Sequence, residues 1–118
     1  MKKIIFLLAV ALSSIPCVNA GTFTNGGTYS CRNLNIEADI LNNTGRIEAS
    51  EEGLIVCSKL MGNGIIVAQK KMRIVAEEFA FTGTIECNGT CTVLSKNKVD
   101  QATVTIKGSG VVTFEVSE

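Results

Sequence analysis

Histidine and tryptophan are absent from this chain of 118 residues, and tyrosine occurs once. The absence of histidine excludes the Ser-His-Asp and Cys-His catalytic arrangements and removes the residue most often used as a general base. It also argues against most zinc sites, so we expect neither a metal nor a cofactor. The scarcity of tyrosine and tryptophan leaves few rings on which a sugar could stack.

The chain also lacks an excess of charge of either sign, and it contains few aspartates. Eleven basic residues balance eleven acidic ones, and only Lys70, Lys71 and Arg73 cluster. Without a basic face to contact phosphates, nucleic acid is not an expected partner. Asp39 and Asp100 are the two aspartates. They fall at different phases of the repeat described below, which argues against the aspartate clusters that polysaccharide-cleaving β-helix enzymes use.

The first twenty residues have the pattern of a cleaved signal peptide. Lys2 and Lys3 precede a short apolar run over residues 4–12, and Val18-Asn19-Ala20 forms a small-x-small cleavage site. The pattern predicts a signal peptide over residues 1–20 and one mature domain over residues 21–118. A retained N-terminal anchor is the alternative. The short Lys-Lys start is typical of bacteria, so we expect export to the periplasm, the cell surface or the medium, with no transmembrane segment in the mature chain.

The mature chain repeats every 19 residues, with like residues in register. The glycines of the repeat are Gly26, Gly45, Gly64 and Gly83. One aliphatic column is Ile36, Ile55, Ile74, Val93 and Val112, and a second is Thr28, Ile47, Ile66, Ile85 and Val104. A column of mostly small residues is Ser30, Ala49, Ala68, Cys87 and Ile106, and a shorter column is Leu41, Leu60 and Phe79. A fixed period of this kind is typical of a solenoid.

The spacing within each repeat predicts β-strands, because the apolar columns lie two residues apart and successive strand side chains point to opposite faces. Turn-forming residues such as Asn42-Asn43-Thr44-Gly45 separate the strands. Each repeat therefore resembles one coil with three strands and three corners. We expect an all-β, single-domain parallel β-helix of about five coils. A period of 19, where left-handed hexapeptide helices show 18, favours the right-handed form. An antiparallel β-sandwich is the alternative.

Removal of the signal peptide would leave four cysteines, an even number that suits an oxidising compartment. Cys87 and Cys91 flank the short corner Asn88-Gly89-Thr90, and this spacing predicts a disulfide across it. A Cys31–Cys57 disulfide requires that their strands face each other across the core. Alternatively, Cys57 is a small buried apolar residue.

Paired carboxylates occur in the repeat, but their phases do not predict an active site. Glu51-Glu52 and Glu77-Glu78 fall at corners, where neighbouring side chains point in different directions into solvent. Glu48 and Glu86 share a phase, yet they lie two coils apart with Val67 between them. We therefore expect no catalytic pair and no enzyme.

Two features suggest interaction surfaces. An outward-facing column contains Glu37, Val56, Val75, Leu94 and Thr113, and its three aliphatic members form an apolar stripe suited to another protein or another copy. The alternative is that these residues simply suit strands. The second feature is that neither terminus has a capping pattern, so Val112 and Val116 lie in a terminal strand open to head-to-tail stacking.

Gly-led units such as Gly45-Arg46-Ile47-Glu48-Ala49 and Gly64-Ile65-Ile66-Val67-Ala68 resemble those of bactofilins, the polymer-forming bacterial scaffold proteins. The resemblance covers most of residues 26–116. It implies a short β-helix that polymerises, and it implies no site residues. Bactofilins are cytoplasmic, whereas this chain carries a predicted signal peptide.

These observations predict a secreted, non-enzymatic structural protein of the bacterial envelope or exterior that associates with itself, or with an envelope protein or glycan. One alternative is an adhesin or a module that binds carbohydrate or protein. Another is a small glycan-active β-helix enzyme.

Overall fold

The computed structural model describes residues 18–96 and 103–116, with residues 18–20 described by their backbone alone. The apolar run of the predicted signal peptide and Asp100 lie outside the described residues. The described part is all-β and contains no helix that could cross a membrane. Its strands are β1 (Val18–Asn25), β2 (Thr28–Asn43), β3 (Arg46–Gly62), β4 (Ile65–Ala68), β5 (Lys71–Phe81), β6 (Thr84–Cys87), β7 (Thr90–Ser95), β8 (Thr105–Lys107) and β9 (Val111–Val116).

The strands pair in parallel along three sides of a solenoid, which confirms the β-helix fold of about five coils. The first side contains segments 28–31, 46–49, 65–68, 84–87 and 105–107. The second side contains segments 33–38, 52–57, 71–76, 90–95 and 111–116. The third side contains segments 22–25, 40–43, 59–62 and 78–81. Strand β3 contributes to all three sides because its backbone stays extended around two corners.

The interior is built from the apolar columns that the period predicts. Ile36, Ile55, Ile74 and Val93 are fully buried and pair in that order on the second side. The first side buries Ile47, Ile66 and Ile85 in the same way, and the third side buries Leu41, Leu60 and Phe79. Neighbouring coils stack about 4.8 Å apart, so each side chain packs on its equivalents above and below.

The ends of these columns differ from the prediction. Tyr29, not Thr28, pairs with Ile47, and Cys31, not Ser30, pairs with Ala49, because the ladder shifts register between Cys31 and Asn33. At the other end of the first side, Ile106 follows Ile85 in place of Val104. On the second side, Phe114 follows Val93 in place of Val112, and Glu115 follows Leu94 in place of Thr113. The last coil is two residues longer than the others, and a fixed period of 19 cannot register that insertion.

One corner depends on glycine. A Cβ on Gly45, Gly64 or Gly83 would collide with the carbonyl oxygen of the glycine one coil earlier. Those oxygens accept backbone hydrogen bonds, such as Ile65 N to Gly45 O at 2.8 Å. The first member of this stack is Gly27, whose oxygen accepts from Arg46 N, and not the expected Gly26. Close backbone approach, which tolerates no side chain, explains the glycine period.

Candidate functional site

The C-terminal end of the solenoid exposes unpaired strand edges and apolar side chains. Strand β8 pairs with β6, and β9 pairs with β7, while no other described strand covers their outer edges. Ile106, Val111 and Val116 are 42%, 63% and 54% exposed, and they are the exposed large hydrophobic residues of the described chain. An open parallel edge with exposed apolar side chains can accept a further strand.

Strand β9 also carries core residues that the end leaves half covered. Val112 and Phe114 pack on the core and are partly buried. Phe114 lies edge-on to Phe79, with ring centroids 6.2 Å apart. Val112 follows Cys91 in its column, and Val116 follows Ser95. Among the described residues, these inward columns therefore end with strand β9.

The N-terminal end is covered along part of its edge. Strand β1 pairs with residues 36–43 of β2, but residues 28–35 of β2 have no described strand on that side. Tyr29 is partly exposed there and packs against Phe23, with ring centroids 5.7 Å apart. The two ends of the solenoid thus present unequal edges, one mostly open and one partly covered.

The apolar stripe on the outer face of the second side differs from the expected exposed surface. Val56 and Val75 are only 7% and 1% exposed. They form a small cluster with Leu54 and Leu94, which are partly buried. Each valine lies between rungs of its own column, so the neighbouring side chains cover it. These two valines therefore contribute little exposed apolar surface, and a lateral contact through the stripe stays a prediction.

The described cysteines are present as thiols and not as disulfides. Cys87 and Cys91 are both fully buried on the two sides of one corner. Burial raises the pKa of Cys91 to about 12, and the adjacent Cys87 side chain adds to that rise. The spacing correctly predicted that these two thiols lie close together, whereas their oxidation to a disulfide stays a prediction.

Cys31 and Cys57 lie on different sides of the solenoid and are not ladder neighbours. Cys31 pairs with Ala49 on the first side, and Cys57 lies between Ala38 and Ala76 on the second. Cys57 is buried, and burial raises its pKa to about 12. Cys57 therefore has the environment expected of a small apolar core residue.

The carboxylates form ion pairs between coils. Glu51 pairs with Lys70 at 3.1 Å. Lys59 pairs with Glu78 at 3.7 Å, and Lys96 pairs with Glu77 at 3.3 Å. Glu51, Glu77 and Glu78 thus contact lysines one coil away and are not simply solvated. Opposite charges 19 residues apart could have indicated these contacts. Such exposed pairs contribute little stability individually.

Glu48 is the carboxylate with the most defined surroundings. Its oxygens accept hydrogen bonds from Gln69 at 3.0 Å and from Arg46 at 3.0 Å. These two hydrogen bonds lower the pKa of Glu48. Val67 lies between Glu48 and Glu86 in the ladder, as the phase predicted. Val67 is also fully buried, which the phase did not indicate. Glu48 is therefore held as an anion within a structural network.

Two buried asparagines, which the sequence reasoning missed, stack at the corner before the first side. Asn25 Nδ2 donates to Asn43 Oδ1 at 3.0 Å, and Asn43 Nδ2 donates to the Ile65 carbonyl at 3.0 Å. Asn43 is fully buried. The two asparagines are 18 residues apart, so they do not form a column at the period of 19. Their hydrogen bonds satisfy the buried polar groups of this corner, which no apolar column stabilises.

Neither pockets nor metal ligands suggest chemistry in the described residues. One shallow surface groove of about 390 Å³ is lined by Thr44, Lys59, Met61, Gly62, Asn63, Ala80 and Thr82. It contains no aromatic ring on which a sugar could stack. The part of the chain that the structure describes also contains no group of three or more His, Cys, Asp or Glu side chains that could hold a metal.

Comparison of the chain with protein-family models, with curated proteins and with solved structures found no match.

Proposed function

We propose that this chain is an exported bacterial structural protein, without enzymatic activity, that associates with itself end to end. The observation that carries the proposal is the open, apolar edge of β8 and β9 at the C-terminal end. A contact between this end and the N-terminal end of another copy is heterologous. Because stacking in register along the solenoid axis does not bring the chain of copies back to its start, this contact produces filaments and not rings.

The columns of the two ends support this contact. Val112, Phe114 and Val116 point inward on the last rung of the second side, since they continue the columns of Cys91, Val93 and Ser95. In a chain that begins at Gly21, the same columns would begin, at the other end of the solenoid, with Leu34, Ile36 and Ala38. A second copy stacked in register would continue each apolar column across the junction.

The remaining parts of the proposal rest on the sequence. Residues 1–20 would direct export to the periplasm or the exterior, where an oxidant such as an exchangeable protein disulfide would convert the Cys87 and Cys91 thiols to a disulfide. The right-handed form and the likeness to bactofilins belong to the same proposal, since a short β-helix with open ends is the shape that such polymers use. Partners would be further copies of the chain, or an envelope protein or glycan that anchors them.

The test is to purify residues 21–118 from an oxidising host and to examine them by negative-stain electron microscopy and light scattering. We expect filaments whose subunits repeat about every 24 Å along the axis, from five coils at about 4.8 Å each. A clean monomer at high concentration would contradict the proposal.

A charge at the junction should weaken assembly. Val116→Lys would set an ammonium group against the apolar end of the next copy, and we expect the critical concentration to rise by about tenfold or more. Val116 is largely exposed in the single chain, so the variant should fold. Ser58→Lys adds the same charge at an exposed position far from both ends and should leave assembly unchanged. Equal effects of the two variants would rule out the proposed junction.

A further inference from the structure

The predicted cleavage site falls at a corner of the solenoid, between its second and third sides. Cleavage after Ala20 would leave a chain whose first strand segment, 22–25, lies on the third side. The last described segment, 111–116, lies on the second side. In the described coils a third-side segment follows the second-side segment along the chain, as segment 59–62 follows 52–57. The first strand of one mature copy is therefore the element that should follow β9 of another.

Residues 18–20 lie before that corner, on the second side of the solenoid. They pair with the second side of the first coil, in the register Val18 to Ile36, Asn19 to Glu37 and Ala20 to Ala38. The residues that would pair with the same positions in an end-to-end stack are 114–116 of β9. That register follows from the columns, in which Phe114 continues the column of Ile36, and Val116 continues the column of Ala38.

The three residues therefore occupy the edge that a second copy needs. A backbone edge can pair with one strand at a time, so residues 18–20 and β9 of another copy exclude each other there. Ile36 is fully buried and Ala38 is 7% exposed in the chain that carries residues 18–20. Their removal would uncover the edge at both residues, while β1 would keep its pairing over residues 22–25 with 40–43.

We propose that cleavage after Ala20 opens the N-terminal end to β9 of a second copy, so that end-to-end assembly begins only after export. This inference rests on the self-association proposed above. It adds the register of the contact and the event that permits it. The junction would bring together Val112 with Leu34, Phe114 with Ile36, and Val116 with Ala38, all on inward columns.

The same register sets another apolar pair on the first side. Ile106 continues the column that begins with Tyr29, and both residues are incompletely buried in the single chain. On the outer face, Glu115 would lie beside Glu37 of the next copy, since both belong to the column of Val56, Val75 and Leu94. Adjacent like charges weaken a strand pair. The register therefore predicts that Glu115→Lys strengthens assembly a few-fold.

The experiment compares three chains, each released from an N-terminal fusion: one that begins at Gly21, one that begins at Val18, and one that begins at Val18 with Asn19→Pro. All nine described strands lie within residues 18–116, so the longer chains keep the whole solenoid. We expect the Val18 chain to show a critical concentration about tenfold or more above that of the Gly21 chain. The proline variant has the same length but cannot form the strand, and it should assemble like the Gly21 chain.

Amide hydrogen exchange below the critical concentration provides a second readout that does not depend on filaments. We expect the amide of Ala38, which faces Asn19 in this ladder, to be more protected in the Val18 chain than in the Gly21 chain. If all three chains assemble equally, the gating inference is wrong while end-to-end assembly stands. If the Gly21 chain stays monomeric although its Ala38 amide is unprotected, self-association itself fails, and the gating role fails with it.

Discussion

Truncation of a core residue in the central coil should be costly, and Ile74→Ala measures that cost. Ile74 is fully buried and pairs with Ile55 on one side and Val93 on the other. The change removes three carbon atoms from the core, worth about 0.8 kcal/mol each in transfer free energy. The cavity adds to that loss, so we expect about 3–4 kcal/mol of destabilisation in total. A domain of this size has a free energy of unfolding of about 5–15 kcal/mol, so the variant should fold with a much reduced margin.

The assay is urea unfolding of the mature chain, followed by circular dichroism below the concentration at which it assembles. Arg73→Ala is the matched control, because Arg73 is the exposed neighbour of Ile74 in the same strand. We expect the control to change the free energy of unfolding by less than about 0.5 kcal/mol. If Ile74→Ala costs no more than Arg73→Ala, the column is not the core of the solenoid, and the argument built on its continuation fails.

Three further predictions concern the corners, the acid sensitivity and the thiols. Gly64→Ala should lower the free energy of unfolding by about 2 kcal/mol or more in urea titrations, because its Cβ would collide with the Gly45 carbonyl, whereas Gly27→Ala meets no atom within 4 Å and should cost much less. Because Gln69 and Arg46 lower the pKa of Glu48 from 4.5, the ionised form stabilises the fold above that pH, and this stability is lost as the pH falls through the lowered pKa. Glu48→Gln should therefore make the fall in stability on acidification shallower, and an unchanged pH profile would contradict the role given to this network. Under reducing conditions an alkylating reagent should label the partly exposed Cys31 before Cys57 and Cys91, because the buried thiols of the latter two have a pKa of about 12. Faster labelling of Cys57 in the folded chain would show that its side of the core is open.

The sequence was sufficient to predict the middle of the solenoid. Ile55, Ile66 and Leu60 each occupy the buried column that the period assigned to them. A period identifies such residues because each coil stacks on its neighbour at the same phase, and any column of like residues then becomes a ladder. The central coils keep a step of 19 without insertion, so the prediction needed no correction there.

The ends were less predictable because the period changes there. The register shift after Cys31 and the longer last coil move Tyr29, Ile106 and Phe114 into columns that a constant step assigns to other residues. A bulge or an insertion alters the backbone path without leaving a mark in composition. Asn25 and Asn43 were missed for the same reason, since their spacing belongs to the shorter first coil.

Exposure of the outer face was also beyond the sequence pattern. The alternation of strand residues showed that Val56 and Val75 point outward, but not that Leu54 and the neighbouring rungs cover them. Burial on the outside of a sheet depends on the conformations of flanking side chains, which no period encodes. The exposed apolar surface that the proposed junction uses therefore lies at the C-terminal end, at Ile106 and Val116.

The central claim, that β9 of one copy pairs with β2 of the next, is tested most directly by a cross-link across the junction. Two variants of residues 21–118, each also carrying Cys31→Ser, would be mixed: one with Glu115→Cys and one with Glu37→Cys. Ladder neighbours lie about 4.8 Å apart, within the Cα separation that a disulfide accepts. We predict rapid formation of the mixed disulfide dimer on mild oxidation, and much slower cross-linking when Asp39→Cys, an exposed position two residues along the same strand, replaces Glu37→Cys. Absence of the mixed dimer at assembling concentrations, or equal cross-linking at positions 37 and 39, would contradict the account.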